Sequence, residues 1–137
     1  MSTPLLQVEH LRVTYRVARR KVVAVQDASF VARRGRCLGI AGESGSGKSS
    51  LARAILALED QVSGKVLFDG QDVLRQTRAA RREFRRRAQM VFQDPLGSLN
   101  PRLKVGAALG EVLRVHKIAD SRADVQAQIA RWLTTVG

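Results

Sequence analysis

The sequence predicts an α/β fold, and three features of the chain support this class. A short apolar run, Cys37–Ala41, is bounded by Gly35 and Gly42, as expected for a strand buried on both faces of a parallel sheet. A glycine-rich segment follows, and the next apolar side chains recur at helical spacing, at Leu51, Ala54, Ile55 and Leu58. Strand patterns precede this unit, and helical patterns dominate the chain after residue 70.

The glycine-rich segment Gly42-Glu43-Ser44-Gly45-Ser46-Gly47-Lys48-Ser49 fits the phosphate-binding pattern G-x-x-x-x-G-K-[ST] at every fixed position. Its glycines let backbone N–H groups converge on phosphate oxygens, and a helix that begins near Lys48 adds unpaired N–H groups and a positive dipole end. Lys48 is expected to reach the β- and γ-phosphates, and the Ser49 hydroxyl to bind Mg²⁺. The segment predicts a nucleoside triphosphate site; the alternative is a glycine-serine loop without a ligand.

Two strands are predicted before this segment. Leu6–Tyr15 alternates in part between apolar and polar residues and is expected to be half exposed, and a second strand runs from Val22 to about Val31. The basic residues between them form a connection, and Arg33–Arg36 is a turn. These patterns predict an antiparallel β portion at the N-terminus.

After the first helix, Ser63-Gly64 is predicted to form a turn, and Lys65–Phe68 a short strand that ends in the turn Asp69-Gly70. A helix rich in arginine comes next. Ala88–Phe92 is predicted as a second short apolar strand, which Pro95 ends because proline cannot continue a central ladder.

Two further helices are predicted after a loop from Pro95 to Pro101. The first covers Val105 to about Val115, and the second follows the capping signal of Ser121 and Asp124. The second helix has an apolar stripe, formed by Val125, Ile129, Trp132, Leu133 and Val136. Such a stripe needs another element to cover it, and we expect none after this helix to do so.

Length and composition fit one ordinary globular domain of 137 residues. The sequence has no apolar run of about 20 residues and no signal-peptide pattern at its N-terminus, so we expect a cytoplasmic protein. Cys37 is the single cysteine, which fits a reducing compartment, and its place in a predicted strand favours a buried core side chain over a reactive thiol.

The formal net charge of +12 favours an anionic partner: a nucleotide, a nucleic acid or an acidic membrane surface. Much of the surplus lies in one predicted helix, around most of its circumference. Its arginines are Arg75, Arg78, Arg81, Arg82, Arg85, Arg86 and Arg87. A solvated helix is favoured over a nucleic-acid site, because no aromatic residues are interleaved with the charge.

Three features are distinctive in combination: the phosphate-binding segment, Gln93, and the stretch Phe92-Gln93-Asp94-Pro95-Leu96-Gly97-Ser98-Leu99-Asn100-Pro101. In these features the chain resembles the nucleotide-binding subunits of ABC transporters. More narrowly, it resembles the ATP-binding subunits of dipeptide, oligopeptide and nickel importers. The resemblance covers essentially the whole chain. It implies the P-loop NTPase fold of this family, incomplete, with residues 1–93 as the β portion and phosphate-loop core and residues 94–137 as the Q-loop and the start of a helical subdomain.

The resemblance implies an ATP and Mg²⁺ site with three parts. Tyr15 matches the aromatic residue that stacks on adenine, Lys48 and Gln93 are the implied catalytic residues, and Ser49 and Gln93 the implied metal ligands. Ser50 stands where many members have threonine. The implied nucleotide-binding residues are Tyr15, Gly42, Glu43, Ser44, Gly45, Ser46, Gly47, Lys48, Ser49, Ser50 and Gln93. The less favoured alternative for Tyr15 is a strand aromatic packed on the sheet. Without the neighbouring motif, Gln93 would be interpreted as an ordinary loop residue.

The implied partners are a second nucleotide-binding subunit, transmembrane permease subunits and, indirectly, a solute-binding protein, on the inner face of the cell membrane; no nucleic acid is expected. The sequence contains no Leu-Ser-Gly-Gly-Gln-like signature segment, no Walker B strand with paired carboxylates and no switch histidine. We therefore expect a fragment that is poorly stable and inactive alone. The alternatives are an ATP-binding remnant without hydrolysis, a basic nucleic-acid-binding protein and another P-loop enzyme such as a small-molecule kinase.

Overall fold

A computed structural model describes residues 4–94, 97 and 99–137, which form two units. The first ends at Met90 and contains an antiparallel sheet with two helices, and the second, Val91–Gly137, contains two helices. The elements are β1 (Leu6–Val17), β2 (Arg20–Ala32), α1 (Lys48–Ile55), β3 (Val62–Phe68), β4 (Gln71–Asp72), a 3-10 turn (Val73–Arg75), α2 (Arg78–Arg87), α3 (Val105–Val115) and α4 (Arg122–Val136).

The sheet has the strand order β2-β1-β3-β4, and every neighbouring pair is antiparallel. β1 lies between β2 and β3 and buries Val8, Leu11 and Val13, so its apolar side chains face the core. Strict alternation breaks at His10 because the strand bulges there: His10 has a φ of +47°, and the register shifts toward both neighbours. The predictions of an N-terminal β portion and of both of its strands are confirmed.

Ser63 and Gly64 do not form the predicted turn; they lie inside β3, where it crosses the bulge of β1. Gly64 has a φ of +100°, and a Cβ at this position would lie 2.4 Å from the carbonyl oxygen of His10. A glycine with positive φ occurs both in turns and opposite strand bulges, so the residue type alone cannot predict which of the two forms. The predicted turn at Asp69-Gly70 is confirmed, with φ values of +51° and +78° between β3 and β4.

The core of the first unit lies between the sheet and its helices. Leu51 and Ala54 from α1 pack with the buried side chains of β1 and β3, and Phe84 closes the cluster from α2. Phe84 contacts Phe68 edge to face, with ring centroids 5.1 Å apart. The side of α2 that carries Phe84 is buried, so the arginines of α2 do not surround the helix evenly. Arg75 is not in α2; it lies in the preceding 3-10 turn.

The predicted strands Cys37–Ala41 and Ala88–Phe92 are wrong. Neither range has strand structure, and Leu38 and Ile40 are 48% and 47% exposed. A strand needs a neighbouring backbone to complete its hydrogen bonds, and the described sheet pairs only β1 to β4. For the same reason the Cys37 thiol is exposed and not in the core as expected.

In the second unit, α3 and α4 pack against each other around Leu113, Ala119, Val125 and Ile129. The helix predictions are confirmed, and the Ser121 hydroxyl accepts a hydrogen bond from the Asp124 N–H at 3.1 Å, as the capping signal indicates. The first half of the apolar stripe is covered by the preceding helix, since Val125 and Ile129 pack with Leu113 of α3. Leu133 and Val136 are exposed.

Within the described residues, none of the helices combines the length and the apolar character needed to cross a membrane.

Candidate functional site

The phosphate-binding segment leads directly into α1, whose first residue is Lys48. Gly47 precedes the helix with a φ of +91°, no side chain caps the helix N-terminus, and its first turn has no acidic residue. The first N–H groups of a helix have no partners within the helix, and they lie at the positive end of its dipole. This end of α1 is therefore built to receive an anion.

Gly47 rests directly on β2. A Cβ at position 47 would lie 2.2 Å from the carbonyl oxygen of Ala24 and 3.4 Å from Val25 Cγ2. The register between β1 and β2 shifts at this level, with Val13 opposite Val25 and Thr14 opposite Val23. Strand β2 thus supports the loop from behind, at a distance that excludes any side chain.

A second glycine closes the loop from the other end. A Cβ on Gly42 would lie 2.7 Å from the hydroxyl oxygen of Ser46, and the Ser46 N–H donates to the carbonyl oxygen of Glu43 at 3.2 Å. Gly45, between them, has a φ of +79°, and a Cβ added there would have no other atom within 4 Å. The loop therefore folds tightly on itself while its tip remains open.

The ammonium group of Lys48 lies within this loop. Its Nζ donates to the carbonyl oxygens of Gly42 at 2.7 Å and Glu43 at 2.6 Å, and to the Ser46 hydroxyl at 3.2 Å. Three acceptors match the three protons of an ammonium group, so the side chain is held toward the loop. A cation in this position can bind the oxygens of a phosphate chain that enters the loop.

A cavity of about 510 Å³ lies between β2 and the loop. One wall is the stretch 23–28 of β2, and the other includes Gly42, Gly47 and Lys48, with Leu51 below. This volume falls within the range of small-molecule sites, about 300–1,000 Å³. Backbone donors, an ammonium group and a strand wall of mixed polarity, which includes Gln26 and Asp27, therefore surround one space large enough for a nucleotide.

The structure brings together the residues from Gly42 to Ser50, whereas Tyr15 and Gln93 belong to other segments. Tyr15 is half-buried in β1, opposite Val22, and packs against the hydrophobic cluster of the first unit. Gln93 is exposed, in a bend of the second unit outside any helix or strand. In the stretch from Phe92 to Pro101 that carries the family resemblance, Pro95, Leu96 and Ser98 lie outside the described residues. The predicted roles of Tyr15 and Gln93 stay predictions.

Sequence reasoning missed the part played by β2 in this site. Ala24 presents its carbonyl oxygen to Gly47, and Val25 a methyl group, yet both residues read as ordinary strand positions. In the described part of the chain, no group of three or more His, Cys, Asp or Glu side chains could hold a metal ion.

Comparison with known proteins places these features in a family context. Residues 25–137 match the family model described as ABC transporter. The chain is 41% identical over 138 residues to the oligopeptide transport ATP-binding protein OppF of Bacillus subtilis, covering 100% of this chain and 45% of that protein. It is 38% identical over 142 residues to OppF of Haemophilus influenzae, covering 97% of this chain and 43% of that protein. The chain thus spans less than half the length of these curated relatives.

Solved structures with the same fold include the ATP-binding cassette MJ0796, in a dimeric post-hydrolysis state bound to ADP and Pi. It superposes with a TM-score of 0.74 at 21% identity, over 94% of this chain and 56% of the other. A second dimeric structure of MJ0796 gives a TM-score of 0.70 at 22% identity, over 89% of this chain and 53% of the other. At this level of identity the likeness concerns the fold.

Proposed function

The chain belongs to the ABC transporter family, and on this premise we propose that it is the ATP-binding portion of an ATPase subunit that drives the import of peptides or similar small solutes. The observation that carries the proposal is the loop around Lys48. Its ammonium group is held by Gly42 and Glu43 at the N-terminus of α1, beside a cavity of nucleotide size. Two relatives named as oligopeptide transport proteins support the substrate class.

The glycines decide whether ATP and Mg²⁺ fit this site. Gly42 and Gly47 let the loop fold tightly against Ser46 and β2, where a Cβ would clash, and the helix N-terminus adds N–H donors with no acidic residue in its first turn. In the proposed complex, the backbone N–H groups of 45–49 bind phosphate oxygens, and Lys48 exchanges its carbonyl partners for the β- and γ-phosphates. When bound, Mg²⁺ would neutralise negative charge on the phosphate chain. Ser49 and Gln93 are its proposed ligands.

The remaining roles are also proposals. Tyr15 stacks on adenine, a contact worth about 1–3 kcal/mol in related base-stacking cases. Gln93 orients the attacking water and links the site to the membrane partner. Residues 1–93 act as the β portion and phosphate-loop core, and residues 94–137 as the Q-loop and the start of a helical subdomain.

Hydrolysis needs groups that this sequence does not contain, because phosphoryl transfer also requires a carboxylate that holds the metal and one that orients water. We propose that this span forms one side of an ATP sandwich with a second nucleotide-binding subunit. Permease subunits, and indirectly a solute-binding protein, would complete the transporter on the inner face of the membrane.

A second candidate follows from the same sequence observation. Without the paired carboxylates, the 137-residue chain would bind ATP and hydrolyse nothing. Phosphate release measured beside nucleotide binding separates the two candidates. Binding without phosphate release identifies the ATP-binding remnant, and turnover by the chain alone excludes it.

The site itself is tested with Lys48→Ala and a fluorescent ATP analogue. We expect most of the affinity to be lost, because the substitution removes the cation that lies within the loop. Lys65→Ala is the matched control: it removes the same charge from β3, where Lys65 pairs with Glu9 at 3.7 Å. Unchanged nucleotide binding in Lys48→Ala would refute the assignment of the site.

A further inference from the structure

The arginines of α2 form one cationic face. With about 100° of rotation per residue, four exposed arginines fall within an arc of about 100°. The buried Phe84 and the half-buried Ala80 lie on the other side. We call this arc the arginine face; its members are Arg78, Arg82, Arg85 and Arg86. Arg81, beside it, is half-buried, and its Nε atom is buried.

The arginines at the start of α2 work against the stability of the helix, whereas Arg85 and Arg86 lie in the last turn, where cations are favourable. Arg78 and Arg81 occupy the first turn, where cations oppose the helix dipole and where no acidic residue compensates them. Like charges also stand four residues apart along the face, an arrangement that destabilises helices. Glu83 is the only acidic residue between 75 and 87, and it pairs with Arg86 at 3.7 Å.

Two arginines of α2 have contacts that hold the helix to the rest of the first unit. Arg87 binds the Asp69 carboxylate and lies over the ring of Phe68, 4.8 Å from its centroid. Arg85, at the edge of the face, donates to the carbonyl oxygen of Ala57 at 3.2 Å. Arg78 has no such contact with a described residue, and it is exposed. Arg82 and Arg86 also have contacts of their own. The exposure of several arginines on one side of the helix, and not a lack of contacts, is what points to an external anion.

We propose that the arginine face binds the headgroups of anionic phospholipids at the cytoplasmic surface of the membrane. The proposal rests on the proposed function, which puts the subunit beside that membrane. Clusters of four to eight basic residues on an amphipathic helix are a recognised means of attachment to acidic lipids. The face has no apolar or aromatic side chain, so it would contact headgroups without insertion, and it lacks the stacking residues typical of nucleic-acid surfaces.

The test is sedimentation of the full chain with vesicles of equal parts phosphatidylglycerol and phosphatidylcholine, compared with phosphatidylcholine alone. We expect binding to the mixed vesicles only, with release as salt rises above about 0.1 M, where screening shortens to roughly 10 Å. Absence of binding to the mixed vesicles would overturn the proposal. The fluorescent nucleotide assay runs in parallel: a chain that binds nucleotide and not vesicles refutes the lipid surface alone, whereas loss of both refutes the function as well.

The location of the lipid-binding surface is tested with a triple variant of the arginine face: Arg78→Gln, Arg82→Gln and Arg86→Gln. Glutamine has a helix propensity close to that of arginine, and circular dichroism checks that α2 is retained. We expect vesicle binding to weaken at least about tenfold.

The control removes the same charge from the other basic segment, with Arg16→Gln, Arg19→Gln and Arg20→Gln. Equal loss in both variants would overturn the proposal, because binding would then follow net charge. Tighter binding to duplex DNA than to mixed vesicles at the same salt, lost in the α2 variant, would also overturn it.

Discussion

Gly47 and Ala24 meet so closely that a Cβ at position 47 would lie 2.2 Å from the Ala24 carbonyl oxygen. The neighbour is backbone in the middle of β2, so it cannot move aside as the end of a flexible side chain could. Gly47 also has a φ of +91°, a conformation that residues with a Cβ rarely adopt. The phosphate loop is thus held at a fixed distance from the sheet by the absence of a side chain.

Gly47→Ala should abolish nucleotide binding, because either β2 or the start of α1 must shift. The positive φ alone should lower the free energy of unfolding by about 1–3 kcal/mol. Gly45→Ala is the matched control: it has a similarly strained φ, +79°, but no atom within 4 Å of the added methyl. Titration with a fluorescent ATP analogue should show a far larger loss for Gly47→Ala. Equal losses in the two variants would mean that the contact with Ala24 does not matter.

Asp69 makes stability sensitive to acid. Hydrogen bonds from Arg87 and then Arg34 lower the pKa of its carboxyl group below the ordinary value of 3.8. A carboxylate whose pKa is lower in the folded state stabilises the fold above the unfolded pKa, and this contribution disappears as the pH falls through the folded pKa. The free energy of unfolding of the unmodified chain should therefore exceed that of Asp69→Asn at neutral pH, and the difference should shrink below pH 3.8.

Urea unfolding at several pH values measures this difference. Asp60→Asn is the control, because it removes the same charge from an exposed carboxylate without an ion pair to a described residue. A difference between Asp69→Asn and the unmodified chain that stays constant through acid pH would contradict the role of the two arginines.

The sequence was sufficient to predict the elements whose signals are local. The helix after the phosphate loop, the turn at Asp69-Gly70 and the cap at Ser121 each depend on residues within a few positions of one another. The contact between Gly47 and Ala24 could not be predicted, since it joins distant segments and Ala24 has no distinctive side chain. For the strands, Cys37–Ala41 has the composition of a buried strand, but pairing depends on a partner backbone that composition does not report.

The reactivity of Cys37 tests directly whether residues 37–41 form the strand that the sequence predicts. As the single cysteine, in a segment without strand structure, its thiol should react with a chromogenic disulfide reagent at a rate close to that of the urea-unfolded chain. A thiol buried in a parallel strand would instead react only on opening of the structure, many times more slowly. Strong protection of Cys37 in the folded chain would contradict its exposure and favour the strand that the sequence predicts.

Gly64→Ala should destabilise the sheet more than any substitution of the β3–β4 turn. The added methyl would lie 2.4 Å from the carbonyl oxygen of His10 and 2.7 Å from that of Glu9, so the bulge of β1 would have to open. Gly70→Ala separates this clash from backbone strain: its φ is also positive, +78°, and nothing lies within 4 Å of the added methyl. Strain alone should cost about 1–3 kcal/mol in either variant. Urea unfolding should therefore show a clearly larger loss for Gly64→Ala, since that substitution also separates two hydrogen-bonded strands at the centre of the sheet. Equal losses would mean that β1 relaxes around the methyl group, and that the bulge at His10 does not require glycine opposite it.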